Sequence, residues 1–311
     1  MIVRWGVAEL AKLAGERPLV VASPRWRHVL DAADRWEEVP SHRIEVPTGV
    51  DTIVAVGGGS AIDTAKAASA ATGLPLVSVP TTYSGAEWTT FFGVRDPDRR
   101  MRGGGAGACL HAIVYEPELT LDLPRAETVG TALNALAHAA EALYVDGHNA
   151  EADAEALAGA RLIGEWLPLV VERPRDLEAR TELLRGASHA GAALGKSFLA
   201  LGHALAQALG GRYGVPHGAL NALTLPPALR FNEPVAGAAI ARFGEAIGSD
   251  DPPARVEELA RLGGFERLRD LGIPEEAPAE VAEAVAERPG AKANPRPVTP
   301  ADVEQLLSSI W

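Results

Sequence analysis

Apolar residues in the first 120 or so positions come in short, nearly unbroken runs. PLVVAS (18–23), HRIEVP (42–47), TIVAVGGG (52–59), PLVSVP (75–80) and AIVYEP (112–117) are β-rich and alternate with Ala-rich or turn segments. That alternation predicts a parallel sheet with crossover helices. Beyond LTLDLP (119–124) the pattern turns helical, with periodic Ala and Leu and no convincing strand. The expected fold is therefore an α/β unit over 1–122 followed by an all-α unit over 123–311. The Ala-, Glu- and Pro-rich stretch 249–293 keeps Leu and Val on one face, which predicts a surface helical layer rather than disorder.

Composition narrows the class without choosing within it. The chain has 311 residues, 47% apolar and 23% charged, enough for two developed cores. A net charge of −12 argues against nucleic acid or an anionic membrane as partner. No apolar run nears the roughly 18 residues that span a membrane, and no signal-peptide h-region is seen. The single cysteine, Cys109, excludes an internal disulfide and suits a reducing cytoplasm, the expected location.

Two turns carry candidate ligand chemistry. In TIVAVGGGSAIDTAK a buried run enters a glycine turn and then an Ala-rich helix, which points backbone N–H groups and the helix dipole at a phosphate. Gly57, Gly58, Gly59 and Ser60 form the turn. Asp63 and Lys66 follow in the first helical turns, where Lys66 can reach an anion or pair with Asp63. In LVSVPTTYSGAE, Thr81, Thr82, Tyr83 and Ser84 stand at a strand end, where open α/β sheets bind nucleotide or substrate. A hydroxyl-rich helix cap is the plainer alternative.

Histidines supply the second constellation. Asn134 and His138 lie four apart in LNALAHAAEAL, His203 and Gln207 four apart in GHALAQALGG, and His217 follows after GGRYGVP. Helical i, i+4 pairs with a loop histidine can converge as metal ligands do, although Asn134 stands where a metal favours a carboxylate. His28, His42, His111, His148 and His189 have no such context and read as structural. The sheet half holds the glycine turn and the helical half the histidines, so the expected site is the cleft between the halves.

With these strings in order, VAVGGGSAIDTAK, VPTTYSGAEWT, TALNALAHAAEALY, HALAQALGGRYGVPHGALNALTLP and ANPRPVTPADVEQLL, the chain resembles the iron-containing alcohol dehydrogenase superfamily, closest to its maleylacetate reductase branch. Asn134, where metal-dependent members carry Asp, and the Ser23–Pro24 pair favour that branch. The resemblance implies a Rossmann-like domain followed by a helical domain, a dehydroquinate synthase-like architecture. It implies NAD(P)H as cofactor, with Ser23, Gly57, Gly58, Gly59, Ser60, Asp63, Lys66, Thr81 and Thr82 binding it and Tyr83 beside the nicotinamide. His138, His203 and His217 are then catalytic, or ligands if iron or zinc is bound, and Asn134, Arg212 and Arg296 face the substrate. Gln207 and Pro227 replace histidines usual in the family, and PHGALNA is closer to the alcohol dehydrogenases. Only 56 residues precede Gly57, which implies that a crossover helix near the adenosine end is trimmed to a loop.

Chemistry separates the remaining options. An amide ligand gives a dipole where Asp gives a charge, so Asn134 weakens metal affinity, although three histidines alone can hold zinc. Without metal, hydride would go to an electron-poor carbon of an unsaturated keto acid while a histidine stabilises or protonates the enolate. A dianionic substrate needs cations. Arg95, Arg99, Arg100 and Arg102 in VRDPDRRMRGGG, Arg212 and Arg296 are the candidates. No acid follows Ser23 to repel a 2′-phosphate, so NADPH as well as NADH is expected. The leading expectation is a metal-free maleylacetate-type reductase, as a homodimer. The alternatives are a metal-dependent alcohol or aldehyde dehydrogenase, a dehydroquinate synthase-like lyase or cyclase, and a cofactor-binding protein without turnover.

Overall fold

The computed structural model describes every residue except Arg99, and the chain falls into two compact units, Met1–Asp122 and Leu123–Trp311. The first unit is built on β1 (Ile2–Trp5), β2 (Pro18–Ala22), β3 (Asp34–Trp36), β4 (Thr52–Gly57), β5 (Pro75–Pro80) and β8 (Cys109–Tyr115). These pair in the order β1-β8-β5-β4-β2-β3, and every pairing is parallel. β6 (Phe92–Arg95) and β7 (Met101–Gly105) form a separate antiparallel hairpin.

Unbroken apolar runs follow from burial on both faces. Leu19, Val21, Ile53, Ala55 and Leu76 face one side, where Ile62, Ala65 and Ala68 of α1 (Gly59–Thr72) cover them. Val20, Ala22, Val54, Val56, Val77 and Val79 face the other, with Leu10 and Ala14. Consecutive residues on opposite faces are the period-2 signature of a strand.

Two expectations change, and a third, the trimmed crossover, agrees with the structure. HRIEVP is not a strand: Ile44 and Val46 pack as loop residues against the α1 side of the core, and the edge position goes to Asp34–Trp36. β1 and the β6–β7 hairpin were not expected from the pattern. Between β3 and β4 no helix occurs among the described residues, so irregular chain stands where the family layout implies a crossover helix.

The second unit is helical: α2 (Arg125–Ala142), α3 (Ala150–Glu172), α4 (Leu177–Lys196), α5 (Leu201–Tyr213), α6 (His217–Ile247), α7 (Pro252–Arg261), α8 (Ala277–Ala286), α9 (Pro289–Lys292) and α10 (Pro300–Ser309). α2 is its centre, buried at nearly every position from Thr128 onward, against α3, α4 and α6. Small residues permit that depth. A Cβ on Gly218 would lie 2.6 Å from the Gly130 carbonyl, so only glycine lets the start of α6 meet α2 one turn before Asn134. Stretch 249–293 is helical and packed, with Val281 and Val285 buried. Among the described residues no helix is long and apolar enough to cross a membrane.

Candidate active site

In the first unit, Ser23 follows β2, and Gly57 and Pro80 end the adjacent parallel strands β4 and β5, at the carboxyl edge where open sheets bind ligands. Gly57 has φ +154, and a Cβ on Gly58 would stand 2.8 Å from Thr82 Cγ2, so the turn accepts only glycine there without displacement. A Cβ on Gly59 would meet nothing closer than Ser84 Oγ at 3.7 Å, and the α1 N-cap makes no side-chain hydrogen bond. The first helical N–H groups therefore have no side-chain acceptor from the cap. Thr81 Oγ1 and Thr82 Oγ1 are buried without a partner among the described residues. An open glycine turn, a helix N-terminus and two uncommitted hydroxyls fit the pyrophosphate of a dinucleotide.

Other residues expected here serve the core instead. Lys66, 1% exposed, gives its ammonium to Thr89 Oγ1 and the Phe91 carbonyl, both at 3.0 Å, with Asp63 at 3.6 Å. Asp63 also accepts from the Gly93 N–H. Burial holds the Lys66 ammonium below and the Asp63 and Glu87 carboxyls above their usual ranges. Tyr83 is wholly buried and donates to Thr120 Oγ1 at 3.2 Å. The polar atoms of Lys66, Asp63 and Tyr83, expected as ligand contacts, are thus engaged inside the unit.

In the second unit the histidines do meet. The rings of His138 and His203 stack at 4.6 Å and 14°, and His217 tilts against His203 at 5.7 Å. Burial and the two neighbouring imidazoles, in that order, hold His138 well below the usual histidine range, so it is neutral at physiological pH. His138 Nδ1 and His203 Nε2 are buried and have no hydrogen-bond partner among the described residues.

The residue that orients His203 belongs to neither ligand constellation read from the sequence. Glu141, wholly buried on α2, accepts from His203 Nδ1 at 2.6 Å, from the Ala200 N–H at 2.8 Å and from the His203 N–H at 3.2 Å. It caps α5, whose own N-cap residue Ala200 has no side chain for the task. The carboxylate keeps a proton on Nδ1, so any proton that His203 gives or takes moves at Nε2. Gly202 makes room, since a Cβ there would sit 3.0 Å from Glu141 Oε1.

Asn221, one turn into α6, donates from Nδ2 to Asn134 Oδ1 at 2.7 Å and lies 2.9 Å from His217 Nε2. An amide nitrogen only donates, so His217 Nε2 is its acceptor. Asn134 brings no charge to this arrangement, and Asn221 engages two of the atoms a divalent metal would use, Asn134 Oδ1 and His217 Nε2. His138, His203 and His217 form a cluster of stacked and tilted imidazoles.

Three of the expected arginines are engaged elsewhere. Arg212 is exposed and pairs with Glu280 at 3.2 Å. Arg296 stacks on Phe231 at 3.9 Å and donates to its carbonyl. Arg102 pairs with Asp96, and Arg99 lies outside the described residues. Pro227 is buried within α6. Gln207 accepts from Arg288 Nη1 at 3.3 Å.

A glycine-turn nucleotide site and a buried histidine cluster are the parts of a dehydrogenase, and family models agree: residues 128–311 match the C-terminal part of the Fe-containing alcohol dehydrogenase family, and 43–114 match iron-containing alcohol dehydrogenase. An iron-containing alcohol dehydrogenase from Corynebacterium glutamicum superposes with TM-score 0.88 and 30% identity, covering 100% of this chain and 94% of that one. The chain belongs to the iron-containing alcohol dehydrogenase family, and NAD(P)H use follows from that membership. Within it the chain falls in the maleylacetate reductase branch. Maleylacetate reductase from Burkholderia cepacia is 36% identical over 97% of this chain and 84% of its own length. The enzyme of that name from Agrobacterium tumefaciens superposes with TM-score 0.87 at 28% identity, covering 100% and 95%.

Proposed function

We propose that this protein reduces maleylacetate, or a closely similar unsaturated keto-dicarboxylate, with NADH or NADPH and without a resident metal. The carrying observation is the Glu141–His203 pair, which leaves one buried imidazole nitrogen uncommitted in a cluster whose metal-like positions are cross-linked by Asn221. Identity to maleylacetate reductases supports the substrate.

When bound, the dihydronicotinamide supplies the hydride. The alkene carbon β to the ketone accepts it, the C=C π pair moves toward the ketone oxygen as an enolate, and the α carbon then needs a proton. His203 provides that proton from Nε2 and passes from imidazolium to neutral imidazole, while Nδ1 stays bonded to Glu141. Asn221 holds His217 and Asn134 in place beside it. Conjugation lets the substrate's own keto group carry charge that an isolated carbonyl would pass to a metal. Gly57–Ser60, Thr81 and Thr82 take the pyrophosphate, and Ser23, with no acid behind it, takes the ribose with or without a 2′-phosphate. The enzyme acts in the cytoplasm as a homodimer on this reading.

The test is NADH and NADPH oxidation by purified protein with maleylacetate, before and after exhaustive chelation, beside simple aldehydes and ketones. Maleylacetate turnover that survives chelation is the expected result. Activity on simple carbonyls alone, lost on chelation and restored by iron or zinc, overturns it.

A further inference from the structure

Arg288, the residue before α9, is a cation without an anion among the described residues. Its Nη1 donates to Gln207 Oε1 at 3.3 Å, and its Nε is buried with no partner among the described residues. Desolvation alone acts on it, drawing it below the usual arginine range, with no acidic group opposing that shift. In a chain of net charge −12, Arg27, Arg102, Arg212, Arg230 and Arg242 each have a carboxylate, whereas this half-buried guanidinium has none among the described residues. A partly desolvated charge is ordinarily paired, and one left bare marks a place where a ligand completes the pair.

Its position gives the ligand a meaning. Gln207 lies four residues after His203 on α5, so the two side chains share one face of the helix. The start of α9 is pressed against the start of α5: a Cβ on Gly290 would lie 2.7 Å from the Ala200 carbonyl, and Ala200 donates its N–H to Glu141. The backbone that carries Arg288 is thus tied to the residue that orients His203.

We infer that Arg288, steadied by Gln207, binds a substrate carboxylate through its uncommitted N–H donors and so selects dicarboxylates over neutral carbonyl compounds. A guanidinium presents two parallel N–H groups to a carboxylate, and a neutral amide partner holds the side chain without cancelling its charge. This assigns a purpose to Gln207, where the family usually has histidine. The inference deepens the reductase reading and depends on it for the reaction, though not for anion binding.

Arg288→Met and Gln207→Glu test it from opposite sides. The first removes the cation, and the second places an internal carboxylate where the amide now accepts. Both should raise KM for maleylacetate roughly 10- to 100-fold, with kcat falling less than about threefold, because a charged hydrogen bond is lost mainly from binding. Glutarate, an unreactive dicarboxylate, should inhibit the NADH-loaded enzyme and bind both variants more weakly by a similar factor. Arg288→Met should melt no lower than the parent, whereas a purely structural role for the Arg288–Gln207 bond would lower the melting temperature. KM and glutarate affinity within about twofold of the parent in both variants overturn the assignment. If the parent fails to turn over maleylacetate yet binds glutarate through Arg288, the reaction is wrong and the carboxylate site stands.

Discussion

Lys66 and His203 are each 1% exposed, each lies on a helix beside a candidate ligand site, and the sequence points to both as ligand contacts. Their surroundings decide otherwise for one of them. Lys66 spends its ammonium on a hydroxyl, a carbonyl and a nearby carboxylate that tie α1 to the segment before the hairpin. His203 has one nitrogen fixed by Glu141 and the other bare. Burial with every donor engaged is architecture, and burial with one polar atom held in reserve is a place for chemistry.

The largest effect should come from His203→Ala, which removes the proton donor: kcat/KM for the keto-dicarboxylate is expected to fall about 10³-fold, with dissociation of NADH, read by fluorescence quenching, little changed. A loss below tenfold would break the comparison by making His203 as structural as Lys66. Lys66→Met should act in the opposite way. Leaving the half-buried Asp63 and the buried Glu87 beside an apolar chain should cost about 3 kcal/mol in urea unfolding. NADH affinity should stay within about twofold, since the ammonium bonds inward; a tenfold loss would restore Lys66 to the cofactor site.

The same contrast explains what the sequence could carry. The sheet was legible because runs such as TIVAVG are apolar at every position, and the glycine turn because backbone approach excludes a Cβ. HRIEVP misled because Ile44 and Val46 alternate like a strand although they pack as loop. Asp34–Trp36 is too short and charged to register, and MRGGG has no β-propensity to announce the hairpin. The histidines were visible through their i, i+4 spacing. Glu141 was hidden because one acid in AHAAEALY looks like an ordinary helix residue, and its lack of a cation four residues away was the available signal. Arg288 belongs to no motif, and an unpaired charge shows only once every other arginine's partner is placed.

A smaller effect sharpens the comparison through pH. His138 has its folded pKa depressed by burial and by its histidine neighbours, so the unfolded chain takes up a proton near pH 6.5 that the folded chain refuses. Its contribution to stability is complete above about pH 6.5 and is lost as pH falls toward the folded value. Asp63 and Glu87, with raised folded values, run the other way and lose stability as pH rises. Urea unfolding of the parent and of His138→Gln at pH 7.5, 6.5 and 5.5 separates the two, because the carboxyls are common to both proteins. The parent should lose stability relative to the variant between the first and last of these, and parallel curves would mean that His138 is protonated in the fold.

The smallest effect is expected at Arg212, and its smallness is informative. Arg212 and Arg288 are both guanidiniums of the helical unit, and Arg212 is the one that the family motif recommends. Its side chain is 62% exposed, however, and Glu280 already neutralises it, with Tyr213 bonded to the same carboxylate oxygen. An exposed ion pair is screened by water and adds little to affinity or stability. Arg212→Ala should leave KM for maleylacetate within about twofold, and the melting temperature should not move resolvably. If KM instead rose tenfold while Arg288→Met did nothing, the cation that reads the substrate would be the exposed and paired one, and the rule that a bare buried donor marks the site would fail in this protein.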